Sequence, residues 1–262
     1  MSNVPERSRS NLPFVLILVG VYLYPLLLFT LVNKFAREAT GLQYFLTIGS
    51  SILLSTLAIW AMRHGRFSLQ DAGVSLRKAI EAVFLLCVVW CVYGIILTLF
   101  GAQNLLQGST DPSQLLQQWL FVGIAEELLF RGYLLERIRS YFQMAPRWVA
   151  TLSAAAISSA IFATWHIPVR LFRGFQAREL WSSLLQLFVL GLIFSYLYLR
   201  PKSILFAGLL HGSWNVPLFG TQGDYMLMIV ALLVVETYLL FKKFIPLQAN
   251  NSQEDVQSLT QN

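Results

Sequence analysis

Glu126, Glu127 and Arg131 sit together in one apolar stretch, and two of the chain's three histidines, His166 and His211, lie in two others. Ionisable groups in hydrocarbon cost roughly 2.5–3.5 kcal/mol each at a helix centre, so three charges within 126–131 cost on the order of 8–10 kcal/mol before pairing. A chain carries such a load where the groups face a protein-lined cavity and contact one another. The residue types suggest hydrolysis: a carboxylate or imidazole to activate water, and polar donors to hold an oxyanion.

On a helix, Glu127 and Arg131 at i, i+4 share a face and can pair. Glu126 is rotated about 100° away. The spacing therefore predicts a division of labour in which Glu127–Arg131 braces the site and Glu126 stays free to take up a proton. Both glutamates could instead anchor helix packing, but one Glu–Arg pair would suffice for that. His166 precedes Pro168, which should kink or end its helix. His211 and Asn215 again share a face at i, i+4 and can grip an oxyanion or position a water; an interhelical hydrogen-bonded pair is the alternative. Gly208 and Gly212 allow another helix to come close. Ser213, beside His211, is one hydroxyl among many. No HExxH pair and no GxSxG elbow occurs in the sequence.

Taken together, Glu126-Glu127-Leu128-Leu129-Phe130-Arg131, then Phe162-Ala163-Thr164-Trp165-His166, then His211-Gly212-Ser213-Trp214-Asn215 resemble the signature of the CAAX protease and bacteriocin-processing family of intramembrane proteases. The resemblance covers roughly residues 115–220. It implies an integral membrane endopeptidase acting on a peptide or membrane-associated protein. Carried over by motif, Glu126 and His166 activate water, His211 and Asn215 hold the oxyanion, and Glu127 and Arg131 support. A metal-free glutamate mechanism is expected, with Zn2+ held by Glu126, His166 and His211 as the alternative. A catalytic zinc usually has three protein ligands, and these three would leave only Glu127, paired to Arg131, as base. The family's bacterial branches extend to peptide maturation and bacteriocin immunity. A silent immunity or scaffold protein, or a proton-coupled transporter, are the competing readings. No repeated half, which many transporters show, is visible.

The elements that must position these groups are membrane helices. Of 262 residues, 56% are hydrophobic and 12% charged, against about 25% charged in soluble domains. The expected fold is an all-α polytopic membrane bundle of about eight transmembrane helices, near 12–32, 42–62, 79–100, 117–137, 149–169, 183–199, 203–219 and 225–244. Glu81 and Glu236 fall inside the third and the last. The domain expected is 12–246, with a protease-like core at about 115–220, a disordered N-terminus 1–11 and a disordered tail 247–262.

Charge sets the orientation. With both termini cytoplasmic, the inner segments hold thirteen of the nineteen basic residues, among them Arg63, Arg137, Arg147, Arg200, Lys202 and Lys242. The outer segments hold Lys34, Arg37, Arg170, Arg173 and Arg178. Segment 170–180 fits this pattern poorly. The net charge of +6 is spread over short loops, which speaks for topology and against nucleic acid. The expected surroundings are the lipid bilayer of the cell membrane. Trp60, Trp119, Trp148 and Trp181 are expected at the interfaces, and Cys87 and Cys91 in buried packing.

Overall fold

The computed structural model describes residues 12–35, 40–65, 67–102 and 111–259, and every regular element among them is helical. The expected N-terminal segment 1–11 lies outside the described residues. Helices α1 (Leu12–Phe35), α2 (Thr40–His64) and α3 (Leu76–Leu99) come first. Next is α4, residues 112–141, then α5 (Arg147–Trp165), the short α6 (Ile167–Phe172) and α7 (Ala177–Leu199). Helix α8 (Ile204–Asn215) and α9 (Tyr225–Leu259) close the chain. The backbone of α9 stays helical into the segment expected as a tail, and 260–262 lie outside the description.

Among the described residues, five helices are long and apolar enough to cross a membrane: Gly41–His64, Leu76–Leu99, Arg147–Phe172, Ala177–Leu199 and Tyr225–Phe244. The chain is a multi-pass integral membrane protein. Two expected spans differ from the reading above. The run 203–219 yields only the 12-residue α8, about 18 Å long against a hydrocarbon core of about 30 Å. It needs no lipid contact, since nine of its residues, from Ile204 to Trp214, are buried within the protein. Helix α4 is continuous but not regular: π-helical turns at Gln117–Val122 and Leu128–Leu135 flank the α-helical turn Gly123–Glu127 that carries the glutamates. A π turn leaves the α register, which hydrophobic periodicity does not show.

Glycine sets the crossing of α4 with α8. A Cβ on Gly123 would stand 2.2 Å from the Gly208 carbonyl oxygen, and one on Gly212 2.3 Å from the Trp119 Cα. Backbone meets backbone there, so the face expected from Gly208 and Gly212 is the one α8 turns to the carboxylate helix. The α7–α8 hairpin turns through Pro201 and Lys202, the latter with φ 49°. Lys78 Nζ holds this turn by donating to the Pro201 carbonyl at 2.6 Å, and Lys202 pairs with Glu136. The two acids noted inside spans are both paired. Glu81 meets Lys78 at 2.8 Å and Lys242 at 3.1 Å, and Glu236 meets Arg200 at 2.5 Å.

Two smaller expectations are corrected. Cys87 and Cys91 are exposed on α3 and face outward; a neutral thiol is cheap in lipid, so packing does not have to claim it. Trp119 packs inward and does not project from the bundle. Its indole N–H donates to the Val216 carbonyl at 2.8 Å and its ring stacks on Trp90 at 6.2 Å, which turns it into the bundle.

Candidate active site

The regular turn Gly123–Glu127 keeps the two glutamates about 100° apart, and they diverge accordingly. Glu127 is fully buried and accepts from Arg131 Nη1 at 2.9 Å through Oε1. Arg131, also fully buried, donates through Nη2 to the Gly191 carbonyl at 3.0 Å. Its guanidinium carbon lies 4.8 Å from the Phe162 ring centroid and 5.7 Å from that of Phe194. Cation–π contacts of this kind help hold a charge that water cannot reach. Gly191 permits the arrangement, because a Cβ there would stand 2.8 Å from Ser159 Cβ on α5. Ser158 pins α5 to the π turn of α4 by donating to the Phe130 carbonyl at 2.8 Å.

The same Glu127 oxygen has a second partner that the motif spacing did not reveal: Nδ1 of His211 lies 2.8 Å from it. With a carboxylate accepting there, Nδ1 carries the proton and Nε2 is the nitrogen left for chemistry. Nε2 lies 3.7 Å from Glu126 Oε2, close but beyond hydrogen-bond length. Phe194 stacks on the His211 ring with centroids 4.8 Å apart, which fixes its plane. Glu126 Oε2 is buried and has no hydrogen-bond partner. A carboxylate oxygen kept without a donor is available to a reacting group.

His166 stands where α5 breaks. Pro168 lacks an N–H and its ring collides with the carbonyl four residues back, so the helix stops at Trp165 and restarts at Ile167. Nδ1 of His166 donates to the Phe162 carbonyl at 2.8 Å. The carbonyl can only accept, so in the neutral ring Nε2 holds the free lone pair, as a base requires. The Phe162 ring touches both imidazoles, with centroids 4.7 Å from His166 and 5.9 Å from His211.

Asn215, one turn beyond His211, donates through Nδ2 to Gln118 Oε1 at 3.2 Å. Gln118 was not singled out from sequence: a lone glutamine carries no motif, and only the π turn and the glycine crossing bring it to Asn215. Ser213 is fully buried and donates to the Leu210 carbonyl, which removes it from the chemistry.

Glu126, His166, His211 and Asn215 all line one cavity of about 770 Å3, within the size range of small-molecule and peptide sites. Glu127 and Arg131 stand behind it. Among the described residues no group of three or more His, Cys, Asp or Glu side chains is placed to hold a metal ion. Nδ1 of His211 is held by Glu127 and Nδ1 of His166 by a carbonyl, which leaves Nε2 available on each ring.

Gln118 bonds Asn215, Glu127 orients His211, and Phe162 separates the imidazoles. The arrangement offers one carboxylate oxygen without a partner, two imidazoles whose Nε2 atoms are left for chemistry, and the Asn215 amide, all on one cavity. No curated protein sequence matches the chain. Residues 108–217 match the family model described as type II CAAX prenyl endopeptidase Rce1-like, a protease family. That segment contains all six residues Glu126, Glu127, Arg131, His166, His211 and Asn215. Over residues 108–217 the chain is thus similar to the Rce1-like family, in line with the resemblance that the three motifs carry.

Proposed function

We propose that the protein is an intramembrane endopeptidase in which Glu126, with His166, activates a water molecule for attack on a peptide carbonyl. His211 and Asn215 donate to the oxyanion that forms. Glu127 holds the Nδ1 proton of His211, a second proton taken from solvent before the peptide binds makes Nε2 a donor as well, and Arg131 balances the charge of Glu127. The proton taken up by Glu126 then goes to the leaving amine. The observation that carries this reading is the meeting of Glu126, His166, His211 and Asn215 on one cavity. The mechanism needs no metal. The test is cleavage of a peptide library in liposomes by wild type and by Glu126→Ala. Specific scission by wild type and none by the variant support the reading; equal products from both refute it.

The cell membrane is the proposed location, with eight crossings or near-crossings and both ends cytoplasmic. The residues around the cavity then lie toward matching helix ends: Leu28 late in α1, Thr47 early in α2, Gln118 early in α4, Ser183 early in α7 and Val216 just past α8. All of these ends face away from the side that holds thirteen basic residues. The cavity accordingly opens on the non-cytoplasmic face, and the substrate reaches it from there or from the outer leaflet.

A further inference from the structure

Two walls of the cavity are more polar than the hydrolytic residues require. Thr47 and Ser51 line it from α2, and Ser183 and Gln186 line it from α7. All four lie within helices long and apolar enough to span, where a polar side chain is costly in lipid and useful on a cavity. Positions 47 and 51 are i, i+4 and positions 183 and 186 are i, i+3, so each pair shares one helix face. Both helices begin toward the cavity mouth. Counted from those ends at 1.5 Å per residue, Thr47 and Ser51 stand about 10 and 16 Å along α2, and Ser183 and Gln186 about 9 and 14 Å along α7. The two pairs therefore meet the cavity at matching depth.

Their hydrogen bonding is complementary. The Thr47 hydroxyl donates to the Gln43 carbonyl at 2.9 Å, and the Ser51 hydroxyl donates to the Thr47 carbonyl at 2.8 Å. Each proton is spent on the helix, and the oxygen lone pairs remain as acceptors. Thr56 and Thr98 make the same bond at exposed positions, so the bond alone singles out nothing; the place on the cavity does. On the α7 wall, Ser183 and Gln186 have no hydrogen-bond partner among the described residues. A hydroxyl proton and an amide group are unspent there. An extended polypeptide suits such walls, because it presents N–H and C=O groups on both edges. On one edge the N–H groups recur every second residue, about 6.6 Å apart. The rise from Thr47 to Ser51 is about 6.0 Å. A lipid acyl chain gains nothing from these groups.

We propose that Thr47 and Ser51 form a backbone-binding subsite that accepts two alternate N–H groups of an extended substrate segment, while Ser183 and Gln186 donate to carbonyls on its opposite edge. The proposal rests on the hydrolase reading above. The subsite recognises chain conformation and is indifferent to side-chain identity. A helical segment is excluded from it, since its N–H groups are already bonded to its own carbonyls.

The test is an amide-to-ester scan. Peptides of one sequence each carry a single ester in place of one amide, which removes one N–H, and the scissile amide stays intact throughout. In wild type, two ester positions two residues apart should each lower kcat/KM by about 3- to 10-fold, the worth of one neutral hydrogen bond. Thr47→Val should erase the penalty of one ester, and Ser51→Ala that of the other. Gln186→Met should lower kcat/KM by a similar factor with every peptide. Thermal melts establish that each variant is folded, and where one of the α2 variants does not fold, the other still decides its own ester. A scan with no such pair of sensitive positions overturns the subsite. So do penalties that persist in Thr47→Val and Ser51→Ala, or α2 variants that slow ester and amide peptides by the same factor, which is the mark of a purely structural role. Should wild type cleave none of the peptides, the hydrolase reading fails first. Binding of the labelled all-amide and ester peptides to Glu126→Gln, with and without Thr47→Val, then decides the subsite separately. Weaker binding of one ester that depends on the Thr47 hydroxyl supports it, and equal binding of all peptides overturns it.

Discussion

Nδ1 of His211 lies 2.8 Å from Oε1 of Glu127, joining two helices whose motifs are 84 residues apart in the chain. The same oxygen accepts from Arg131 at 2.9 Å, so one buried carboxylate serves both a cation and an imidazole. This makes Glu127 a positioning residue. Glu127→Gln should leave Arg131 buried without a counter-charge and His211 without its anionic partner. A loss of about 3–5 kcal/mol of stability is expected, together with reduced turnover. Thermal unfolding in detergent beside the cleavage rate checks this; a variant as stable as wild type would assign Glu127 to chemistry alone.

Asn215 donates to Gln118, and substrate must compete for that amide. Asn215→Ala should lower kcat by about 10²–10³-fold with little change in KM, the size of losing one oxyanion donor. Gln118→Ala should cost less, because the amide keeps its place on α8 but loses its orientation. Steady-state kinetics separate the two, and a pure KM effect at Asn215 would move it to substrate binding.

The α4–α8 crossing predicts a defect at a residue with no functional group. Gly212→Ala would push a methyl into the Trp119 backbone. The expected cost is about 1–3 kcal/mol of stability. Because Glu126 and His211 face each other across this crossing, activity should fall even where the protein folds. Full activity with unchanged melting would show that the crossing can relax.

Chelation tests the metal-free mechanism directly. With Glu126 as the general base and no step through a metal, activity should survive phenanthroline and gain nothing from added Zn2+. Stoichiometric zinc in active protein, lost together with activity in His166→Ala, would contradict the metal-free mechanism and leave the protease assignment in place.

Sidedness can be read by labelling. In a Cys87→Ser/Cys91→Ser background, Gln222→Cys at the cavity mouth should react with an impermeant maleimide on intact cells. Arg147→Cys should react only after permeabilisation. The reverse pattern would turn the cavity toward the cytoplasm.

The membrane class and the order of the three motifs were legible in sequence because they depend on composition and on i, i+4 spacing. Glu127–Arg131 and the close approach at Gly208 and Gly212 follow from that spacing alone. Other features depend on partners distant in the chain. The bond from Glu127 to His211, the role of Gln118 and the inward turn of Trp119 exist only once α8 crosses α4. The run 203–219 misled for a related reason: apolarity measures burial but does not distinguish lipid from protein as the surrounding. Arg170 and Arg173 read as a misplaced loop, and only the structure shows them lining the cavity.

The central claim is that Glu126 activates the attacking water, and single-turnover cleavage of a defined peptide by reconstituted Glu126→Gln tests it most directly. The account predicts a loss of about 10²–10⁴-fold relative to wild type, the range of general-base catalysis, with an unchanged melting temperature. A folded Glu126→Gln protein that cleaves within about tenfold of the wild-type rate, one decade short of that range, would contradict it.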